Sequence, residues 1–242
     1  MQSVSEPTVV EHEPGDLTCI VDGGLRLSAL QGALGRHAQR FSLDPPADPT
    51  LGECLLLDLS GPLRHRYGTM RDLVIGVSVV LPDGTRAHSG GKVVKNVAGY
   101  DLGKLYCGSS GRLGTVERLA LRLHPLPAAA MTMSVAAARW GELHRSGLVP
   151  SAVDILDDQM LVLFEGAAEA VAEQAATLGG EAIDPWADVR ALQATLPGRR
   201  RWDGRRAALV RPGARVAYVA DAAEPSWSPL AERVLEAMCN PS

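Results

Sequence analysis

The sequence predicts an α+β protein in two packed units, and three observations carry that expectation. Up to Pro127, period-two alternation dominates: Leu119, Leu121 and Leu123 alternate with Arg118, Ala120 and Arg122. Beyond Pro127 the composition turns alanine-rich, and helix-period segments interleave with short apolar strands. The length of 242 residues, 46% of them hydrophobic, suffices for two modest cores and not for a large multidomain enzyme. The expected division is residues 1–127 and 128–242.

Taken in order, "DLTCIV" (Asp16 to Val21) reads as a strand, and Leu27, Leu30 and Leu34 recur at helical spacing behind it. Pro45, Pro46 and Pro49 then impose an extended, turn-prone crossing that ends at Gly52. "LVIGVSVVLPDGTRAHSG" reads as a hairpin, because Pro82-Asp83-Gly84 presets a turn between two strand-like runs. In the second unit, "MTMSV", "AVDIL", "MLVLF", "AALV" and "RVAYVA" read as strands. Helices are expected around Trp140 to His144, over "AAEAVAEQAATLGG" with Gly179 and Gly180 closing it, and from Trp186 to Leu196. A last helix is expected in "SPLAERVLEAM", with Ser228 as N-cap and Pro229 at its first position.

Composition removes several function classes. The net charge of -4 gives no basic field for nucleic acid, and the arginines of "GRRRWDGRR" (Gly198 to Arg206) read as a solvated loop. No apolar run reaches the ~18 residues of a membrane span, and the first residues lack a signal peptide's basic start and apolar core, so a cytoplasmic location is expected. Cys19, Cys54, Cys107 and Cys239 form no CxxC pair, which suggests neither a cluster nor a structural zinc. His12, His37, His65, His88, His124 and His144 show no metal-ligand spacing, so no metal site is expected. GxSxG and HExxH are absent, and no catalytic base can be named.

The glycines of "GSSGRLG", Gly108, Gly111 and Gly114, precede a strand. They therefore belong neither to a Walker loop nor to a strand-turn-helix dinucleotide fingerprint. Two readings stay open: a tight connection between packed strands, or a turn whose backbone approaches something flat or anionic.

"KNVAGYDLGKLYCGSSGRLGTVERLALRLHPLP" resembles the later half of the FAD-binding domain of the vanillyl-alcohol-oxidase (PCMH) type. Within that type it is most similar to glycolate oxidase FAD-binding subunits. Lys95, Asn96, Gly99, Tyr100, Asp101, Leu102, Gly108, Ser109, Gly111, Leu113 and Gly114 match the family's pattern, and "LSGP" and "RYGTMRD" match further motifs upstream. The resemblance implies a PCMH-type fold without its N-terminal subdomain, followed by a small α+β cap. It also implies non-covalent FAD held by Pro49, Thr50, Leu51, Gly52, Ser60, Gly61, Tyr67, Gly68, Gly108, Ser109, Ser110, Gly111, Leu113, Gly114 and Val116. Read on their own, Thr50 could end the proline loop, Tyr67 could be core, and Arg66 and Arg71 could be surface charges or partners of Asp72; Lys95 and Asp101 read as loop-fixing charges.

The implied role is an accessory FAD-binding subunit of a glycolate oxidase complex. A catalytic flavoprotein would supply the substrate site and an iron-sulfur subunit would accept electrons, with peripheral attachment to the inner membrane through those partners. Met1 to Pro14 lacks the family's glycine-rich pyrophosphate loop, which leaves three readings open: a start internal to a longer gene product, weak FAD binding, or a fold kept with the flavin lost. Glu53 stands where the family has a second glycine, and a carboxylate there would repel phosphates. The alternatives are a flavin-free interaction subunit of the same fold and a self-contained FAD-linked oxidoreductase. All four tryptophans, Trp140, Trp186, Trp202 and Trp227, fall in the second unit, which marks it as a partner-binding cap, with Trp202 the residue expected to be exposed.

Overall fold

Residues 6–90, 102–204 and 207–221 are described by the computed structural model. The expected helix at residues 228–238 and the segment carrying Lys95, Asn96, Gly99, Tyr100 and Asp101 lie outside them.

The first half runs β1 (Val9–Glu13), β2 (Thr18–Asp22), α1 (Leu27–Gly35), β3 (Gln39–Arg40), α2 (Leu51–Leu56), α3 (Arg64–Tyr67) and α4 (Met70–Leu73). It continues with β4 (Val74–Val80), β5 (Arg86–Gly90), α5 (Leu102–Tyr106), β6 (Thr115–Arg122) and β7 (His124–Pro125). β1, β2, β6, β4 and β5 form an antiparallel sheet in that order, and β3 pairs separately with β7. The β4–β5 hairpin turns at Pro82–Gly84 as expected, with the Gly84 amide donating to the Leu81 carbonyl and the Asp83 carboxylate accepting from Thr85 N–H. Leu27, Leu30 and Leu34 lie on the buried side of α1 and pack with Cys19, Val21, Leu119 and Leu121 of the sheet.

The second half runs β8 (Ala129–Ala136), α6 (Trp140–Arg145), β9 (Ala152–Leu156), β10 (Gln159–Gly166), α7 (Ala168–Leu178), β11 (Glu181–Ile183) and α8 (Trp186–Ala194). It ends with β12 (Gly198–Arg201), β13 (Leu209–Arg211) and β14 (Val216–Val219). Its seven-stranded antiparallel sheet has the order β11-β8-β10-β9-β13-β14-β12. β10 is buried on both faces, hence its continuous apolar run. Met160, Val162 and Phe164 meet α6 and α7, whereas Leu161 and Leu163 meet Trp186 and Val189 of α8 together with Leu63 from the first half. The α+β expectation therefore holds, with antiparallel pairing between all the described strands.

Three local expectations need correction. The proline crossing does not run to Gly52: Thr50 caps α2 and Gly52 sits inside the helix. Gly198 to Arg201 is an edge strand paired with β14, since alternate arginines can lie along a solvent edge while the backbone completes the sheet. Asp72 pairs with neither Arg66 nor Arg71; its carboxylate accepts from the Thr69 amide and hydroxyl as a capping box at the start of α4.

Candidate functional site

Three chain segments meet at Gly23. Its amide donates to Glu117 O at 2.7 Å, its carbonyl accepts from Gly52 N at 2.7 Å, and Leu51 N donates to Leu25 O at 2.9 Å. The start of α2 is thus locked against β6. The proline loop is pinned alongside it, because the Asp48 carboxylate accepts from the Ser28 amide and hydroxyl at 2.8 Å each, satisfying the N-terminus of α1 from a distance. These bonds hold the Asp48 carboxyl below its usual range.

Glu53 departs from the resembled family for a local reason. It is the third helical residue of α2, and its carboxylate accepts from the Thr50 amide at 2.7 Å and hydroxyl at 3.0 Å while Thr50 Oγ1 accepts from Glu53 N. Those bonds hold its carboxyl below the ordinary value. The Thr50 side chain is engaged in the cap.

The glycine turn closes the other end of α2. Gly108 N donates to Leu55 O at 2.9 Å and Ser110 N to Leu56 O at 2.8 Å, so two helix-terminal carbonyls find partners in the turn. Ser109, Arg112 and Gly114 amides donate to Tyr106, Ser109 and Gly111 carbonyls. Gly114 passes against the end of β4, where a Cβ would run into the Val80 carbonyl oxygen. The tight-connection reading therefore accounts for most of the turn. Gly111 is different: at φ +77° it faces open space, beside an exposed Ser110 at φ +51°. Behind it the Ser109 hydroxyl is buried without a hydrogen-bond partner among the described residues.

The expected site residues thus fall into two groups. Pro49, Thr50, Leu51, Gly52, Gly108, Ser109, Ser110, Gly111, Leu113, Gly114 and Val116 gather around α2 and the start of β6. Ser60, Gly61, Tyr67 and Gly68 lie on the side where the two halves of the chain meet. There Ser60 O accepts from Gln193 Nε2 at 2.8 Å, Gly61 lies against the Asp44 main chain, and the Tyr67 hydroxyl accepts from Arg40 at 3.0 Å. Leu57, 51% exposed, and Asp58 link the groups. Sequence reasoning missed the side chains that hold this link: Arg199, which donates to Asp58 O at 2.9 Å, and Gln193. No local pattern announces bonds that span more than 130 residues.

An open glycine rim with an orphaned hydroxyl behind it fits an elongated, anionic cofactor approaching the backbone, and the pinned loop at Asp48–Thr50 would flank it. Among the described residues no group of three or more His, Cys, Asp or Glu side chains stands close enough to hold a metal ion. None of the described helices is long and apolar enough to cross a membrane.

Residues 3–90 match the FAD binding domain family; the match ends before the glycine turn. The chain is 29% identical over 204 residues to the glycolate oxidase subunit GlcE of Escherichia coli, covering 78% of this chain and 58% of the relative. It is 34% identical over 163 residues to mitochondrial D-lactate dehydrogenase [cytochrome] 1 of Saccharomyces cerevisiae, covering 64% of this chain and 28% of that protein. The chain spans less than two thirds of either relative. Among solved structures, alkyldihydroxyacetonephosphate synthase matches with a TM-score of 0.59 over 71% of this chain and 39% of that one, at 18% identity, a likeness of fold. Residues 3–90 thus match the FAD binding domain family, in a chain whose likeness to a glycolate oxidase subunit extends well into its second half.

Proposed function

We propose that this chain is an FAD-binding subunit of an enzyme complex that oxidises a 2-hydroxy acid of the glycolate or lactate class, acting as an accessory rather than on its own. The observation that carries the reading is the family match over residues 3–90 joined to an open glycine rim at Gly111, packed on the same helix α2. When bound, the flavin accepts two electrons from the carbon bearing the substrate hydroxyl. The protein's part is placement. Ser110 to Leu113 present backbone to the cofactor, Asp48–Thr50 flank it, and Asp58 to Gly61 form a wall held from behind by Arg199 and Gln193. In this reading a partner flavoprotein would take the substrate proton, and an iron-sulfur subunit would accept the electrons.

The second sheet would then serve as a cap and partner platform. Of its tryptophans, Trp186 is buried, its indole donating to Thr132 Oγ1 at 2.7 Å, so it belongs to the core. Trp202 is half-buried rather than exposed, beside the Arg200–Asp203 pair at 3.5 Å. Because Arg199 holds Asp58, the partner surface is better probed through Arg200, Arg201 and Trp202.

The test is a visible spectrum and flavin-fluorescence titration of the purified chain, followed by assay with glycolate and an artificial acceptor, alone and with candidate partner subunits. Stoichiometric flavin and turnover only in the complex are expected. A chain that never takes up FAD, alone or in complex, would leave the flavin-free interaction subunit as the better reading. Metal-independent turnover by the chain alone would favour a self-contained oxidoreductase.

A further inference from the structure

The contact between the two halves of the chain has an uneven charge balance. Three arginines of the second half find an acid here: Arg190 meets Asp44 at 3.9 Å and Arg199 meets Asp58 at 3.2 Å across the contact, and Arg211 meets Asp154 of its own half at 3.0 Å. Arg64, the first residue of α3, finds none among the described residues. Its guanidinium is half-buried and, among the described residues, donates only to the Ser60 hydroxyl, at 3.3 Å.

The surroundings leave that charge poorly compensated. Burial pulls the Arg64 pKa below the usual guanidinium value; Tyr218 and Asp58 act against this, while Arg199 and Arg211 add like charge. The nearby Asp58 carboxylate is already engaged by Arg199. Arg66, two residues on, differs: it is exposed, lies over the Tyr67 ring at 5.7 Å, and reaches Ser151 Oγ and Glu165 O at 3.4 Å.

We propose that Arg64, with the Ser60 hydroxyl beside it, is an oxyanion site that takes a carboxylate or phosphate group. A guanidinium presents parallel N–H donors matched to two oxygens of one such group, and the hydroxyl adds a further donor. Arrival of an anion would neutralise a half-buried cation that meets no carboxylate among the described residues. Two sources of that oxyanion follow from the proposed function, on which they, though not the site itself, rest. One is the flavin's pyrophosphate running along Asp58 to Gly61; the other is the carboxylate of the 2-hydroxy acid.

The experiment follows the melting midpoint of the purified chain against sodium oxalate and sodium pyrophosphate at constant ionic strength. The parent should show a saturable rise with at least one of them. Arg64→Gln should weaken the apparent affinity at least tenfold, and Arg66→Gln should leave it unchanged. Preference for oxalate assigns the site to the acid substrate and preference for pyrophosphate to the flavin; either supports it. The proposal is overturned if neither anion raises the parent's midpoint, or if Arg64→Gln responds as the parent does. Should Arg64→Gln not fold, Arg64→Lys decides, since it keeps the charge and loses the fork: at least threefold weaker binding supports the site and parent-like binding overturns it. A chain that responds to oxalate yet leaves FAD fluorescence unquenched keeps the site and loses the flavin reading.

Discussion

Arg40 and Glu165, 125 residues apart, meet as a two-pronged pair: Nη1 to Oε1 and Nη2 to Oε2, each at 2.6 Å, with the side chains only 13% and 7% exposed. The arginine also donates to the Tyr67 hydroxyl, so one guanidinium ties β3, α3 and β10 together. Removing one partner leaves the other buried without compensation. Arg40→Ala should lower unfolding free energy by about 3 kcal/mol, and the double replacement Arg40→Met/Glu165→Met should recover most of that loss. Urea unfolding of the parent and the two variants checks this; equal losses in the single and double variants would refute it.

Asp44 predicts a pH dependence. Its carboxyl accepts from Leu63 N at 3.0 Å, and burial pushes its pKa up to about 7, against the pull of that amide and of Arg211 and Arg190. Between about pH 4 and 7 the folded protein holds this proton after the unfolded chain has lost it. Stability from this group is therefore full below about pH 4 and lost as pH rises through 7. Asp44→Asn, which can still accept from Leu63, should flatten the decline between pH 5 and 7 relative to the parent. Parallel profiles in thermal melts would contradict the assignment.

The two glycines of the turn should separate structure from binding. Gly114→Ala places a methyl against the Val80 carbonyl at φ +136° and should cost about 3 kcal/mol or more. Gly111→Ala meets nothing and carries only the cost of its positive φ, about 1 kcal/mol. Gly111→Val, whose branched side chain fills the open rim, should retain the fold by circular dichroism and weaken FAD binding at least tenfold. FAD binding by the valine variant equal to the parent's would make the rim structural alone.

Cys19 and Cys54 should be inert in the folded protein. Both are buried, and burial pushes each thiol up to about 12, so neither is a thiolate at neutral pH. Mass-spectrometric mapping after iodoacetamide at pH 8 should find both unmodified until urea passes the unfolding midpoint. Early labelling of either would mean that the layer between α2 and β2 opens locally.

What the sequence determined by itself was whatever depends on neighbours in the chain. The α1 stripe of Leu27, Leu30 and Leu34, the Pro82–Gly84 turn, the alternation of β6 and the close of α7 at Gly179 are all local, and a short window contains their physics. The likeness to glycolate oxidase subunits was also legible, because a family pattern is a string of residues at fixed spacing. The capping box at Thr50 and Glu53 is equally local, written in "TLGE", but the three prolines before it give the stronger signal of an extended crossing. Only the tertiary structure could decide that the glycine turn closes α2, that Ser60 and Tyr67 face the other half of the chain while Gly111 faces open space, and that Arg64 meets no acid among the described residues. Those outcomes depend on which distant carboxylates arrive beside which arginines. Long-range pairing is set by the packing of β10, α3 and α8, and leaves no periodic trace in the chain.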